Sequence, residues 1–401
     1  MFRIRTETVF TVIVGGVGLV LIGVAGLWIY VSATAIPIYP TAKDVPSVTG
    51  TGSSPKWAGA IDGARQIIGT TLSEQNWPGL SVAVGAGGEI VWAEGFGLAD
   101  LDKKIKVTPA TRFRIGTTST VLTSAAVGLL IEQGKLRLDD TIQTSVPEFP
   151  EKQWPVTLRQ LMGHTAGLIT DSGDEGPLFG EHCNRPIEAL PAFAKSSLRF
   201  EPGTDYRYSA YGWILLSAAV EAAGGDPFLI FMRKHVFEPL GMEDTIADSL
   251  TDPIPNQSQS YFPRFASDPR YGPDVNRPLD LSCYAGASVF QSTPSDLARF
   301  GLAINSGKLL QSATVRLLQA TQRLTSGKET GYGLGWDVES VDVAGHATRT
   351  VGHDGDILGG TVSSLLTFPD QGIVVAVTSN ISYADTFALA SKIAQSFTVN
   401  R

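Results

Sequence analysis

Phe113-Arg114-Ile115-Gly116-Thr117-Thr118-Ser119-Thr120 is the stretch on which the fold reading turns: it leads through a glycine straight into an apolar helix. That helix is expected over residues 117–132, free of charge until Glu132 and closed by Gly134. Upstream, residues 80–84 and 89–94 read as two strands joined by Gly85-Ala86-Gly87-Gly88, a hairpin whose glycines supply the positive φ of a tight turn. Before them an amphipathic helix starts at residue 58, with Ile61, Ala64, Ile67, Ile68 and Leu72 on one face. Downstream, residues 158–162, 212–223 and 228–236 read as helices. Strands return at 361–367 and 373–378, and an amphipathic helix over 384–397 closes the chain. Strands at both ends with helices between them predict an α+β fold: an antiparallel sheet flanked by helices, with an inserted all-helical subdomain. The sheet subdomain is placed at about 59–116 and 285–401, and the helical one at about 117–284.

Charge narrows the function classes. Lys and Arg total 31 against 39 Asp and Glu, a net charge of −8, so no basic surface exists to track nucleic acid. Two cysteines make no disulfide scaffold and no zinc pattern. Cys183 and Cys283 can pair in an oxidising compartment, which sequence does not decide. Residues 9–31 (VFTVIVGGVGLVLIGVAGLWIYV) are almost wholly apolar. At about 1.5 Å per residue they make a helix roughly 34 Å long, enough to span a bilayer. Arg3 and Arg5 precede the run, and Trp28 and Tyr30 sit at its far end. The expectation is residues 1–8 cytoplasmic, 9–31 a membrane anchor, 32–58 a flexible linker, and 59–401 an extracytoplasmic, periplasmic domain. The alternative is secretion after cleavage near Ala35 in Ala33-Thr34-Ala35, although signal h-regions run only about 7–15 residues.

Further segments recur in a fixed order: Pro78-Gly79-Leu80-Ser81, Gly95-Phe96-Gly97, Thr157-Leu158-Arg159-Gln160-Leu161-Met162, His164-Thr165-Ala166-Gly167-Leu168, Glu201-Pro202-Gly203, Tyr206 to Tyr208, Pro239-Leu240-Gly241-Met242, Ser292-Thr293-Pro294-Ser295-Asp296-Leu297, Tyr332-Gly333-Leu334-Gly335-Trp336 and Gly352-His353-Asp354-Gly355. Over residues 60–397 this set resembles the serine β-lactamase and penicillin-binding-protein-like hydrolase family, in its class C β-lactamase-related branch. Val146-Pro147-Glu148-Phe149-Pro150-Glu151-Lys152 is similar to mitochondrial serine β-lactamase-like members. The resemblance implies a hydrolase of a small-molecule ester, amide or lactam working through an acyl-enzyme, with no cofactor. It also implies a Ser-x-x-Lys pair on one helix face, a Tyr-x-Asn motif, and a Lys-x-Gly or His-x-Gly strand, with main-chain N–H groups forming an oxyanion hole.

At its chemical centre the chain departs from that pattern. The serine position is Thr117 and the lysine position is Thr120. Threonine keeps a hydroxyl, but Thr120 brings no amine to receive its proton. Ser119, two residues on, faces away from position 117. Ser53-Ser54-Pro55-Lys56 has the letters of the motif, but Pro55 forbids a helix interior. The second motif reads Tyr208-Ser209-Ala210, and the third His353-Asp354-Gly355 with Asp356 beside it. Two carboxylates in the cleft would repel a substrate carboxylate, which points towards neutral esters or no turnover.

As a hydrolase, the chain would use Thr117 as nucleophile, Tyr208 as proton shuttle and His353 on the strand wall. The amides of Thr117 and Asp356 would be the oxyanion donors, with Gly355, Asp354 and Ala210 lining the site. The alternatives are a silent binding or assembly protein on the same fold, with homo-oligomers as its partners, or an active parent substituted at these two positions. Thr117 and Thr120 also read as ordinary residues of a helix start, Tyr208 as a packed aromatic, and His353 and His164 as structural histidines. No metal site is expected: His182 and Cys183 are too few ligands.

Overall fold

The computed structural model describes residues 6–50, 55–170, 177–277, 279–343, 345–357 and 359–398. The core is one antiparallel sheet. Its strands are β1 (Ser47–Thr49), β2 (Gly79–Ala86), β3 (Glu89–Asp100), β4 (Asp337–Val343), β5 (His346–Ile357), β6 (Thr361–Phe368) and β7 (Ile373–Ser379), in the order β1-β3-β2-β7-β6-β5-β4. Ile105–Lys106 adds a short strand on β3. Both chain halves therefore meet at β2–β7, in register from Ile373 opposite Ala86 to Ser379 opposite Leu80. β2, β6 and β7 are buried throughout, and the Ile-Val-Val-Ala-Val run of β7 suits a strand covered on both faces. β4 carries Asp337, Glu339 and Asp342, charges that protect a sheet edge. The β2–β3 turn forms where expected, with Gly87 and Gly88 at φ 63° and 89°.

Two apolar clusters cover the two faces. On one side Ile61, Ala64, Ile68 and Leu72 of α2 (Ala58–Gln75) meet Leu389, Ile393 and Phe397 of the final helix, Thr386–Thr398, over Val375 and Val377. On the other, α3 (Ser119–Glu132), α4 (Ala210–Gly224) and α5 (Pro294–Ser306) share a cluster with Leu365, Val374 and Ala376. The nearly unbroken burial of α3 and α4 explains why neither has a polar face.

Two expectations change. The insertion over about 117–284 is not all-helical: Ile246–Ala247 pairs with Phe290–Ser292, and Tyr261–Pro263 pairs with Pro273–Val275. Prolines 253, 255, 263, 269 and 273 exclude long helices over residues 250–276. In the segment expected as a flexible linker, residues 38–49 are instead packed. β1 lies along β3, the Tyr39 hydroxyl donates to the Pro78 carbonyl at 2.6 Å, and the Ile38 N–H donates to Asn76 Oδ1 at 2.8 Å. The backbone is helical over Thr6–Thr34 (α1), but its described apolar part is Val20–Thr34, and among the described residues no single helix is long and apolar enough to cross a membrane. Arg3 and Arg5, like Ser53 and Ser54, lie outside the described residues.

Cys183 and Cys283 form a disulfide across 100 residues of sequence. Closing a loop of that size stabilises a fold by about 4–5 kcal/mol in the chain-entropy account. Replacing both cysteines by serine is expected to cost about 2–5 kcal/mol, read by calorimetry as a lower Tm; an unchanged Tm contradicts this.

Candidate active site

The site begins where the chain enters α3. Gly116 takes φ 53°, and Gly116–Thr118 form one tight 3-10 turn ahead of Ser119. This turn lies against β5. The Thr117 hydroxyl donates to the Asp354 carbonyl at 3.0 Å, and the Thr118 hydroxyl to the His353 carbonyl at 3.2 Å. Ser363 on β6 reaches the same turn, its hydroxyl 2.7 Å from the Ile115 carbonyl and 2.8 Å from Thr118 Oγ1. Gly355 makes the approach possible. A Cβ there would lie 2.2 Å from the Ile115 carbonyl oxygen and 2.9 Å from the Thr117 nitrogen, contacts no side chain tolerates.

One helical turn on, Thr120 is fully buried beside Tyr332. Its hydroxyl tempers the rise in that phenol's pKa, yet it makes no directed hydrogen bond. Ser119 is equally buried, and its hydroxyl has no hydrogen-bond partner among the described residues, so it has no base to make it a substitute nucleophile.

His353 closes the far side. Its Nδ1 sits 2.5 Å from the Asp354 carbonyl oxygen, which can only accept, so the ring proton belongs on Nδ1. Nε2 is then the acceptor, and the Tyr332 hydroxyl donates to it at 3.0 Å. The Asp354 carbonyl therefore receives both the Thr117 and the His353 protons. Burial holds the Tyr332 phenol well above its ordinary pKa, so it stays a donor.

Tyr208 enters from the loop before α4, with its ring centroid 4.1 Å from that of His164 and 6.4 Å from that of His353. Ala210 opens α4 and is buried; where the family motif has an asparagine it brings no amide. His164, expected to be structural, forms the back of this wall. Burial, with His353 nearby, pushes its pKa down to about 3. Its ring nitrogens face two donors, Ser209 N–H at 3.2 Å and Trp213 Nε1–H at 3.3 Å. A neutral imidazole has one acceptor, so only one of these contacts is a hydrogen bond in either tautomer.

Thr117, His353 and Gly355 thus meet at one turn, with Thr120 beside Tyr332 and the Tyr208 ring facing His353. The residue that sequence reasoning missed is Tyr332. It was visible only as part of a glycine-rich landmark, and no spacing pointed it at His353. The expected carboxylate repulsion is corrected. Successive strand residues alternate faces, so Asp354 points away from the His353 side. It packs where Ser364 meets Thr386 of the final helix, and burial, with Asp337, Glu339 and Asp385 near, raises its pKa to about 7. Asp356 Oδ2 accepts from the Tyr383 N–H at 3.2 Å. Among the described residues no cluster of metal ligands exists.

A two-face antiparallel sheet carries a buried helix that starts beside a hydroxyl residue, with a histidine strand seated against its first turn. A family model described as Beta-lactamase matches residues 64–396, and the chain belongs to that family. It is 27% identical to the mitochondrial serine β-lactamase-like protein LACTB of Bos taurus, over 86% of this chain and 80% of that one. Among solved structures, the D-amino acid amidase from Ochrobactrum anthropi SV3 has a TM-score of 0.71 at 22% identity, covering 85% of this chain and 99% of its own. The octameric penicillin-binding protein homologue from Pyrococcus abyssi has a TM-score of 0.70 at 21% identity, covering 85% and 78%. These two likenesses carry the fold.

The two buried titrations act in opposite senses. Asp354, raised above its unfolded value of 3.8, contributes stability that is full below about pH 4 and lost as pH rises through about 7. His164, lowered from 6.5, contributes stability present above pH 6.5 and lost as pH falls towards about 3. Asp354→Asn removes the first alone. Its urea-unfolding free energy relative to the unsubstituted protein is expected to grow by on the order of 1–3 kcal/mol from pH 4 to pH 8; a pH-independent difference contradicts the buried carboxyl.

Proposed function

We propose that this chain is a β-lactamase-family protein whose cleft has kept its architecture and lost its acyl-transfer chemistry, so that it serves in binding or assembly. One observation carries this reading. The Thr117 hydroxyl donates a hydrogen bond to the Asp354 carbonyl, and the position one turn on is Thr120, which has no amine to take the proton. The other base within the cluster, His353 Nε2, is already occupied by Tyr332. Losing a member of a coupled nucleophile–base unit costs on the order of 10⁶ in one protease. The octameric state named for the Pyrococcus abyssi homologue supports self-association as part of the same reading.

A second reading keeps slow hydrolysis of a neutral ester through Thr117, with Tyr208 as shuttle and the Thr117 and Asp356 amides as oxyanion donors. It is favoured by exposure: Thr117 is 8% exposed, whereas Thr118, Ser119 and Thr120 are at 0%.

Tethering to a membrane with the domain on the extracytoplasmic side belongs to the proposal. Val20, Leu21, Ile22, Leu27 and Ile29 of α1 are all at least 50% exposed, an apolar surface that a bilayer would cover. The Cys183–Cys283 disulfide agrees with an oxidising compartment.

The experiment is restoration. Thr117→Ser with Thr120→Lys, made together in the full chain, is expected to give covalent labelling by a fluorescent penicillin or turnover of a p-nitrophenyl ester, while each single change gives neither. A folded double variant that reacts with no probe overturns the claim that only the chemistry was lost.

A further inference from the structure

A polar cleft of about 430 Å³, which shares no lining residue with Thr117, Thr120, Tyr208 or His353, opens between the end of β3 and the loop over residues 249–260. That volume lies within the ~300–1,000 Å³ of small-molecule sites. Its wall is built rather than incidental. Arg112 ties the loop down, donating through Nη1 to the Pro255 carbonyl at 2.9 Å and through Nη2 to Asp244 Oδ1 at 2.6 Å. The Ser258 N–H donates to the Arg112 carbonyl at 2.9 Å, and the Gln259 N–H to the Ala99 carbonyl at 2.8 Å. The backbone around the cleft is therefore fixed before any ligand arrives.

Two buried groups at this wall have hydrogen-bonding capacity left over. Ser258 is 5% exposed, and its Oγ has no partner among the described residues. Arg114, at 7%, donates through Nε to Asp248 Oδ2 at 2.9 Å and through Nη2 to the Leu279 carbonyl at a long 3.5 Å, leaving further N–H groups of its guanidinium unused among the described residues. Buried polar groups are rarely left unpaired without a reason. Around them stand Asp100, Asp252 and the amides of Gln257 and Asn276.

The charge balance selects the ligand class. Lys103 is paired with Asp100 at 2.9 Å and Arg114 with Asp248, while Asp252 and Arg277 oppose each other in sign across the lining. An anion would meet Asp100 and Asp252, and an apolar ligand would desolvate the unpaired serine. Mixed donors and acceptors at near-neutral charge fit a molecule that both donates and accepts through many hydroxyls.

We propose that this cleft is a second binding site, separate from the Thr117 site, for a neutral polyhydroxylated ligand, a short carbohydrate. The fit does not depend on the reading given to Thr117.

The test is saturation-transfer NMR and calorimetric titration of the full chain in detergent with maltose, N,N′-diacetylchitobiose and inorganic phosphate. Binding of at least one sugar below about 10 mM is expected. Gln257→Ala and Asp252→Ala, both at exposed positions, should weaken it by roughly tenfold or more without lowering Tm. No sugar binding at that concentration, binding that the two variants leave unchanged, or phosphate binding in preference to both sugars overturns the proposal.

Discussion

Everything in the candidate site depends on one contact, the seating of strand β5 on the first turn of helix α3. Gly355 lets the strand approach to a distance no side chain would permit. Thr117 and Thr118 then fasten it through hydroxyl bonds to two consecutive carbonyls, those of Asp354 and His353. The two halves of the sheet are far apart in sequence, and this seam holds the catalytic-type helix of one against the histidine strand of the other. Each bond is worth about 1 kcal/mol net. The geometry it enforces matters more, since it sets where His353, Tyr332 and Tyr208 meet.

The same contact underlies the proposal that the cleft has lost its acyl-transfer chemistry. A nucleophilic hydroxyl must hand its proton to a base as it attacks. Here that proton is directed at a main-chain oxygen, which cannot take it. A lysine at position 120 would sit beside Tyr332, where the buried threonine hydroxyl now makes no directed bond. Compared with a lysine, Thr120 supplies neither a base nor a positive charge. It leaves the packing of α3 intact, because a threonine is readily buried there.

Much of the fold was legible in the sequence, for identifiable reasons. The hairpin glycines 87 and 88, the β-branched run of β7 and the uncharged length of α3 each had one physical reading. Residues 37–57 misled because Pro, Gly and Ser are as compatible with a packed edge strand as with a free tether. The strands between Leu240 and Pro294 are two or three residues long, too short to carry a period. Within the site, Thr117, Thr120, Tyr208 and His353 stood out through the resemblance to the family's motifs. The role of Tyr332 did not, since it arises from a side chain reaching across the fold to His353. Nor was the direction of Asp354 worked out: alternation along β5 sets its face, and reading that face needs the register of the strand.

The central claim is that Thr117 has no base, and it concerns the unaltered protein. Intact-mass spectrometry of the full chain after prolonged exposure to an activated neutral ester tests it directly. The account predicts an unshifted mass, whereas an acyl adduct that maps to Thr117 would contradict it.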